Sequence, residues 1–398
     1  MNLQIENLYK LAQKPSRTII GLMSGTSLDG LDIALCTING SGKQSNLHLE
    51  EFITLDYPTD FRNRVREVFA KREIDQQVLS GLHAYIGTLH GQMVNTALKK
   101  WDIPNNTVDC IASHGQTVYH APQRLTGDMT FPNSTLQIGD GDHLAVATGI
   151  ITLSDFRQKH IAHGGEGAPL AAYGDYLLFT NLTQNRILLN IGGISNFTFL
   201  PSEQSGKQAY ATDLGPGNTM MNQFALTYYG REMDKDAQIA RSGVIHQQLL
   251  STLLEEPFLK QDFPKTTGPE LFNLDYLKQA QQRAGTSQIA NEDIMATLNK
   301  FSALAIAQGI QQATKEINQY TVYVSGGGLH NSLLLEHISQ ALPGIEVTSF
   351  SQLGLNPDAK EACLFALLAN ETLAGTPSNV STIKDSPAVC MGKLSFPY

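Results

Sequence analysis

The feature that most constrains the fold of this chain is a pattern of elements that occurs twice. In each copy an apolar strand meets a glycine-rich turn, a second strand and helical segments follow, and a later strand ends at a polar or glycine-rich tip. The turn and tip are residues 24–30 and 114–117 in the first copy, and residues 192–196 and 325–328 in the second. Because residue identity between the copies is weak, the repeat exists only at the level of pattern. It predicts two related α/β domains.

Length and composition exclude several classes of protein. The 398 residues suffice for about two to three domains. A hydrophobic fraction of 41% supports a sizeable core and argues against a disordered chain. With 28 basic and 37 acidic residues, the formal net charge is −9. A net negative charge gives the protein no electrostatic attraction to nucleic acid or to an anionic membrane. A bound anion must therefore be held by local donors.

The cysteines and the apolar stretches indicate a reducing compartment. The four cysteines are far apart and form no Cys-x-x-Cys pair, so we expect neither a disulfide scaffold nor a cysteine metal site. No apolar stretch approaches the length of about 18 residues that a membrane span needs. Residues 1–17 lack the apolar core of a signal peptide. The sequence thus predicts a cytoplasmic protein.

The first glycine-rich turn carries groups that suit a phosphate. Its small residues allow a ligand to approach the backbone closely, and successive backbone N–H groups can form an anion-binding nest. Asp29 and Asp32 can hold Mg²⁺ directly or through water. The turn is neither a Walker A loop nor a dinucleotide fingerprint, and the residues alone also allow a plain hairpin. The glycine turns at 192–193 and 326–328 favour a clamp around a nucleotide.

Two carboxylates are candidates for catalysis. Asp213 precedes a rigid Gly-Pro-Gly turn, where a carboxylate suits a general base. Glu361 lies early in a helix that we expect to start near Pro357, where an acid favours the positive helix end or points into a cleft. Taken alone, the residues favour structural roles for both, with Asp213 capping its own turn.

Polar residues at predicted strand ends suit sugar binding. Arg157 can grip a phosphate or carboxylate, or it can form an internal pair with Asp155. His114 is a sugar ligand or a structural histidine. His160 and His163 are three residues apart, but without a third ligand we expect no metal there. The candidate hydrogen-bonding residues for sugar hydroxyls are His114, Gln116, Thr117 and Gln137.

Many ordered blocks of the chain resemble the motifs of one family, the anhydro-N-acetylmuramic acid kinases. These blocks are residues 21–32, 114–117, 136–140, 155–157, 164–170, 190–196, 213–218, 234–236, 264–268, 326–328 and 361–366. The resemblance covers residues 18–377, and it implies the actin- and hexokinase-like ATPase fold, with duplicated ribonuclease H-like domains around a nucleotide cleft. We expect domain I from residues 1–155 and 380–398, and domain II from residues 156–379.

The resemblance also implies an activity. Family members use ATP and Mg²⁺ to phosphorylate the 6-oxygen of 1,6-anhydro-N-acetylmuramic acid while water opens the anhydro bridge. The products are N-acetylmuramic acid 6-phosphate and ADP, within peptidoglycan recycling. We therefore expect a small amino sugar as the partner, with no nucleic acid and no membrane, and a homodimer as a family-level expectation.

The same resemblance assigns roles to residues. Asp213 matches the base for the attacking water, and Glu361 matches a second carboxylate near the sugar. Asp29 and Asp32 are the candidates to steer the metal. The implied nucleotide-binding residues are Gly25, Thr26, Ser27, Leu28, Asp29, Gly30, Leu31, Asp32, Gly192, Gly193, Gly326, Gly327 and Gly328. The implied substrate-binding residues are His114, Gln116, Thr117, Gln137, Asp155, Arg157 and Gly165.

Three positions depart from the family pattern, and two other functions compete. His160 stands where an acid is expected, Glu166 where Gln is expected and Leu214 where Thr is expected. A plain hydroxyl kinase for a related sugar would keep Asp213 without any attack by water. A nucleotide-gated scaffold on the same fold would tolerate the loss of Asp213 and Glu361.

Overall fold

The computed structural model describes residues 2–398, and this part of the chain contains twelve strands and fourteen α-helices. The strands are β1 Ser16–Ser24, β2 Gly30–Asn39, β3 Asn46–Asp56, β4 Cys110–Ala121, β5 Ser134–Ile138, β6 Thr152–Ser154, β7 Asn185–Ile191, β8 Ile194–Leu200, β9 Tyr210–Pro216, β10 Tyr320–Ser325, β11 Glu346–Ser349 and β12 Lys393–Ser395. The helices are α1 Leu3–Ala12, α2 Thr59–Val68, α3 Gln76–Trp101, α4 Gln123–Thr126, α5 Gly141–Thr148, α6 Phe156–Ala162, α7 Ala171–Phe179, α8 Thr219–Tyr229, α9 Gln238–Ser242, α10 Gln247–Leu253, α11 Leu274–Ala284, α12 Asn291–Ala313, α13 Ser332–Ala341 and α14 Lys360–Ala374.

The chain forms two compact units, of which the second is inserted into the first. Unit 1 contains the residues up to Phe179 together with Asp358–Tyr398, and unit 2 is Thr180–Pro357. These boundaries differ from the expected ones at 155 and 379. The difference arises because α14 packs against β1, β2 and β4, and α7 packs against α14, so both helices belong to unit 1.

The two units have separate sheets with the same core topology. In unit 1 the strands lie in the order β12-β6-β4-β1-β2-β3, with β5 paired to β4. In unit 2 the order is β11-β10-β7-β8-β9. In each unit the first three strands form an antiparallel meander, and two later strands add in parallel beside the first. The common order β3-β2-β1-β4-β6 and β9-β8-β7-β10-β11 confirms the prediction of two related α/β domains.

Strand β4 is longer than the sequence predicts. The expected end at residue 114 is wrong, because the strand continues to Ala121 and pairs with β5 beyond that point. Its register against β1 shifts between Leu22 and Ser24, which marks a bulge. Gly115 lies there with a φ of 70°, and a β-carbon on it would come within 2.6 Å of the Ile138 carbonyl oxygen. The bulge changes the direction of the polar side chains that follow.

Helix α14 packs very closely on the sheet of unit 1. A β-carbon at Gly21 of β1 would lie 1.8 Å from the carbonyl oxygen of Ala362 in α14, so only glycine fits at that crossing. Each unit has its own hydrophobic core between its sheet and its helices. Within residues 2–398, none of the helices has both the length and the apolar content that crossing a bilayer requires.

Candidate active site

The topology of unit 1 places three predicted segments at one edge of its sheet. The strands β1, β4 and β6 are parallel, so their carboxyl ends point the same way. The loop 25–29 follows β1, Asp155 follows β6, and His114 lies where β4 bulges. In open α/β sheets, this edge is where ligands bind. The arrangement therefore gathers the predicted phosphate loop and part of the predicted sugar site within one unit.

The loop 25–29 closes the hairpin between β1 and β2 and presents its polar groups to solvent. Thr26, Ser27 and Asp29 are exposed, whereas Leu28 is buried with a φ of 58° and anchors the loop in the core. The Asp29 carboxylate accepts from the Ser27 hydroxyl at 2.8 Å and from the Gly30 N–H at 3.0 Å. The local contacts of a plain hairpin are thus present beside exposed hydroxyl donors.

Asp32 is the second carboxylate of this region and lies in β2. Its Oδ1 accepts from the Thr54 hydroxyl at 2.6 Å. Burial raises the pKa of Asp32, and the nearby charges of Asp29 and Asp358 raise it further. Because these acids disfavour one another's charge, a cation beside them would be stabilising. Within residues 2–398, no group of three or more His, Cys, Asp or Glu side chains forms a closed metal cage.

His114 is buried and bonded at both ring nitrogens. Its Nδ1 lies 3.3 Å from the Ser24 carbonyl oxygen, which can only accept. Its Nε2 lies 2.9 Å from Nη2 of Arg157, which can only donate, and 2.7 Å from Nε2 of Gln137. The ring is therefore neutral with its proton on Nδ1. This agrees with burial and the charge of Arg157, which hold the pKa of His114 well below its ordinary value.

Arg157 connects this histidine to the loop 164–167. Its Nη1 donates to the carbonyl oxygen of Gly167 at 2.6 Å. Burial lowers the pKa of Arg157 to about 10, so the guanidinium stays charged at neutral pH. Arg157 does not pair with Asp155 as one reading of the sequence suggested, because Asp155 accepts instead from Nζ of Lys393 at 2.5 Å. The cation is thus held by neutral acceptors beside a polar cavity.

That cavity has a volume of about 270 Å³ and lies within unit 1. Its lining includes His114, Gln137 and Asp155, which are candidate substrate residues, together with Lys393 and Ser395. Among the described residues, the buried atoms Gln137 Oε1 and Asp155 Oδ1 have no hydrogen-bond partner. Asp155 also has a left-handed backbone, with a φ of 51°. Unpaired acceptors in a cavity suit a ligand with several hydroxyl or amide donors.

Glu361 lies in the first turn of α14 and interacts with the same polar cluster. Its side chain touches solvent, yet protein atoms surround it closely enough that desolvation raises its pKa. The positive charge of Arg157 opposes this shift, and the carboxylate of Asp32 adds to it. Glu361 is therefore close, in electrostatic terms, to both the predicted metal carboxylate and the predicted sugar ligand.

The structure accommodates two of the three departures at loop 164–167 and the third in unit 2. The imidazole of His160 is buried, accepts from the Gly167 N–H at 3.0 Å on Nδ1, and would collide with any β-carbon at Gly165. Burial lowers the pKa of His160 to about 4, so the ring is neutral. Glu166 pairs with Nε of Arg124 at 2.6 Å. Leu214 is buried in unit 2 against Gly309.

In unit 2 the predicted glycine segments meet one another. The N–H groups of Gly217 and Asn218 donate to the carbonyl oxygens of Gly193 and Gly192 at 2.8 and 2.9 Å. A β-carbon at Gly326 would lie 2.8 Å from the Ile191 carbonyl oxygen, directly before the first glycine turn. Gly193, Gly326 and Gly327 are exposed. Unit 2 therefore offers a surface of closely packed glycine backbone that a nucleotide can approach.

Asp213 lies on β9 next to these turns, and a separate segment holds it. Its Oδ2 accepts from the Thr267 N–H at 2.9 Å, across 54 residues of chain. Its N–H donates to the carbonyl oxygen of Lys265 at 2.9 Å. The Lys265 side chain is buried, donates to the carbonyl oxygens of Phe258 and Leu259, and lies 4.7 Å from the ring centre of Phe258. The carboxylate is thus fixed by partners outside its own turn.

Comparison with known proteins decides the family. Residues 17–394 match the sequence model of the family described as Anhydro-N-acetylmuramic acid kinase. The chain is similar over its whole length to the Anhydro-N-acetylmuramic acid kinase of Pseudoalteromonas atlantica, with 53% identity and full coverage of both chains. The protein of that name from Pseudoalteromonas translucida is 49% identical, again over both full lengths. The chain belongs to the anhydro-N-acetylmuramic acid kinase family.

Structural comparison adds a distant similarity. The activator of the 2-hydroxyisocaproyl-CoA dehydratase from Clostridium difficile with bound ADPNP aligns with 12% identity and a TM-score of 0.37. The alignment covers 89% of this chain and 95% of that one. Membership of the kinase family, together with the duplicated sheet order, confirms the predicted fold class, the α/β fold of actin- and hexokinase-like ATPases.

In this member of the kinase family, the structure brings several predicted site residues together and shows which residues hold them in place. Thr117 and Gln137 are register partners on β4 and β5, and Gln116 donates to the Gly25 carbonyl oxygen at 3.2 Å. Lys265 and Thr267 were visible only as part of a family motif, with no role attached. No local sequence pattern indicates a role for Tyr57 or Lys393. Tyr57 contacts Ser24 and Lys393 contacts Asp155, and both partners are distant along the chain.

Proposed function

We propose that this chain phosphorylates the 6-oxygen of 1,6-anhydro-N-acetylmuramic acid with ATP and couples that step to hydrolysis of the anhydro bridge. The observation that carries the proposal is the cluster in unit 1 in which His114 bonds Arg157 and Gln137 on one side and the start of the phosphate loop, at Ser24, on the other. A sugar-binding cluster joined to a phosphate loop is what a sugar kinase requires. The products are N-acetylmuramic acid 6-phosphate and ADP, in peptidoglycan recycling.

We assign Asp213 the role of general base. Water forms a bond to the anomeric carbon and gives a proton to the Asp213 carboxylate, while the bond between the anomeric carbon and the 6-oxygen breaks. The freed 6-oxygen forms a bond to the γ-phosphorus, and the bond to the ADP oxygen breaks. Asp213 suits this role because Thr267 orients one carboxylate oxygen at 2.9 Å. Orientation of a carboxylate next to a substrate is the main requirement for a general base.

We assign phosphate binding to backbone and hydroxyl donors. These donors are the exposed Thr26 and Ser27, the N–H groups of loop 25–29, and the glycine turns at 192–193 and 326–328. Asp29 and Asp32 fit Mg²⁺, which takes one or two protein carboxylates plus phosphate oxygens and needs no closed cage. When bound, the metal would neutralise charge on the phosphates.

We assign the sugar to the polar cavity and its neighbours. The unpartnered acceptors Gln137 Oε1 and Asp155 Oδ1 suit hydroxyl and amide donors, and Arg157 suits a carboxylate of the substrate. Glu361 serves as the second carboxylate beside the sugar. Its raised pKa lets it hold a proton closer to neutral pH than an ordinary glutamate does. The neutral His114 orients Arg157 and does not itself exchange protons.

Mass spectrometry of a short reaction with ATP, Mg²⁺ and 1,6-anhydro-N-acetylmuramic acid in ¹⁸O-water tests the function. We expect a product that gains one phosphate and one water, with label at the anomeric hydroxyl. Unlabelled product incubated in ¹⁸O-water under the same conditions measures chemical exchange at that hydroxyl. Phosphorylated sugar without label above this background would instead support a plain hydroxyl kinase. No product despite intact ATP binding would favour a scaffold.

Two further properties are proposed on the same grounds. We place the protein in the cytoplasm, where ATP is available and where the scattered cysteines stay reduced. We also propose a homodimer. Light scattering after size exclusion would give about twice the chain mass of 43.4 kDa for a dimer, and a single chain mass would refute it.

A further inference from the structure

A single residue that the reaction does not use, Tyr57, contacts both ends of the phosphate loop. Its N–H donates to the carbonyl oxygen of Asp29, the last loop residue, at 3.1 Å. Its hydroxyl donates to Oγ of Ser24, directly before the loop, at 2.8 Å. Tyr57 follows β3 and is almost completely buried. The loop 25–29 is therefore held at its start and its end by the same buried side chain and backbone.

The tyrosine hydroxyl belongs to a hydrogen-bond chain with one direction. The hydroxyl gives its proton to Ser24, so it accepts from Nε2 of His90 at 2.8 Å. Ser24 in turn donates to Oε1 of Gln116 at 2.5 Å, and Nε2 of Gln116 donates to the Gly25 carbonyl oxygen at 3.2 Å. Every proton in the chain is used once, and the last donor reaches the backbone of the loop.

Burial makes this chain of hydrogen bonds rigid. His90, Tyr57, Ser24 and Gln116 each expose 3% or less of their surface, so water does not compete for their bonds. Burial lowers the pKa of His90 to about 3, and the ring is therefore neutral and carries the single proton that the chain needs. His90 is held in this network through Nε2 alone, since its buried Nδ1 has no hydrogen-bond partner within residues 2–398. The continuous bonds from His90 through Tyr57 and Ser24 to Gln116 favour one arrangement of the groups they join.

We propose that Tyr57 and His90 are positioning residues that fix loop 25–29 in the arrangement that binds the ATP phosphates. The proposal rests on the phosphate-binding role proposed above for that loop. Neither side chain touches the loop's exposed face, so both act through Ser24 and Gln116. Since a nest of N–H groups binds anions only when its backbone is preset, loosening either end of the loop weakens the nest.

Tyr57→Phe is the test, because it removes only the hydroxyl. We expect kcat/KM for Mg-ATP to fall about tenfold, the typical effect of one lost hydrogen bond that orders a site. Tyr176→Phe is the matched control. It removes another buried tyrosine hydroxyl of unit 1, bonded at 2.5 Å to Thr382, and it should leave kcat/KM for Mg-ATP unchanged. If the two variants have equal thermal stability and equal kinetics, the proposal is wrong.

A double-mutant cycle separates positioning from general loss of stability. Ser24→Ala removes the other partner of the same hydrogen bond. If both residues act through that bond, the double variant is no worse toward Mg-ATP than the worse single variant. Fully additive losses of kcat/KM in the double variant would show that the two residues do not act through their shared hydrogen bond. The variant Asp29→Ala distinguishes failure of this proposal from failure of the proposed function. Unchanged Mg-ATP kinetics in Asp29→Ala would count against phosphate binding by loop 25–29. A loss in Asp29→Ala without a loss in Tyr57→Phe would count only against the positioning role of Tyr57 and His90.

Discussion

Arg157 donates to Nε2 of His114 at 2.9 Å, and this pair sets the charge of the whole cluster around it. The histidine stays neutral because its Nε2 must accept, and the guanidinium keeps its positive charge beside the cavity. A cation that is held by a neutral ring leaves its charge available to a ligand. An arginine paired with a carboxylate would have that charge partly neutralised already.

Arg157→Lys should damage the use of the sugar and spare the use of ATP. A lysine keeps the charge but cannot bond His114, the Gly167 carbonyl oxygen and a ligand with a planar fork. We expect kcat/KM for the sugar to fall about 100-fold, as for loss of a charge-assisted hydrogen bond. Steady-state kinetics with each substrate varied in turn would show this. An equal effect on KM for ATP would contradict the assignment.

Asp213→Asn should reduce turnover strongly while the fold of its turn persists. Asparagine keeps an oxygen that can accept from the Thr267 N–H, but it cannot take a proton from water. We expect kcat to fall by about 10²- to 10⁴-fold, the usual contribution of a general base. Calorimetric titration with a non-hydrolysable ATP analogue should give wild-type affinity. Normal activity, or lost nucleotide affinity, would remove Asp213 from the base role.

Asp29→Ala should raise the Mg²⁺ concentration that gives half-maximal activity, on the order of tenfold, because one of two candidate carboxylates is lost. The control is Asp128→Ala, which removes an exposed aspartate of the same unit that bonds only its own turn, at Thr130. Magnesium titrations at saturating ATP would compare the two variants. Identical titration curves for Asp29→Ala and the wild type would rule out the metal assignment.

Acid should destabilise the protein partly through His160. Its pKa is about 4 in the folded chain and 6.5 when unperturbed, so between these values the unfolded chain binds the extra proton. The free energy of unfolding is therefore unaffected by His160 above about pH 6.5, and it decreases as the pH falls toward 4. For His160→Gln, whose amide oxygen can still accept from Gly167, the loss of unfolding free energy between pH 7 and pH 5 should be smaller by about 1–2 kcal/mol. Urea unfolding at both pH values measures this, and parallel losses in both proteins would refute it.

The parts of the fold that sequence predicts best are those written in local patterns. The paired strands around residues 24–30 and 192–196 and the three glycine turns are where periodicity and turn chemistry indicate them. The boundary between the units was not predictable in this way. It depends on α14 returning to β1 and β2, a contact between segments more than 300 residues apart, such as Arg17 with Asn370 across 353 residues.

Site residues divide along the same line. The motif residues Asp29, His114 and Asp213 stand out because their residue types suit a ligand. The residues that hold them do not stand out, because Tyr57 is an ordinary buried aromatic residue until its hydroxyl is seen beside Ser24. Likewise Lys393 contacts Asp155 across 238 residues, a pairing that no local pattern encodes.

The insertion of unit 2 into unit 1 has a consequence for the order in which the protein matures on the ribosome. Unit 2 is complete once residue 357 has been translated, whereas unit 1 still lacks α14 and β12 at that point. Because α14 covers β1, β2 and β4, the sheet of unit 1 must wait with part of one face open while an entire second unit is synthesised. The apolar face of this sheet therefore stays uncovered in the nascent chain until α14 has left the ribosome, so unit 1 completes its core only near the end of synthesis.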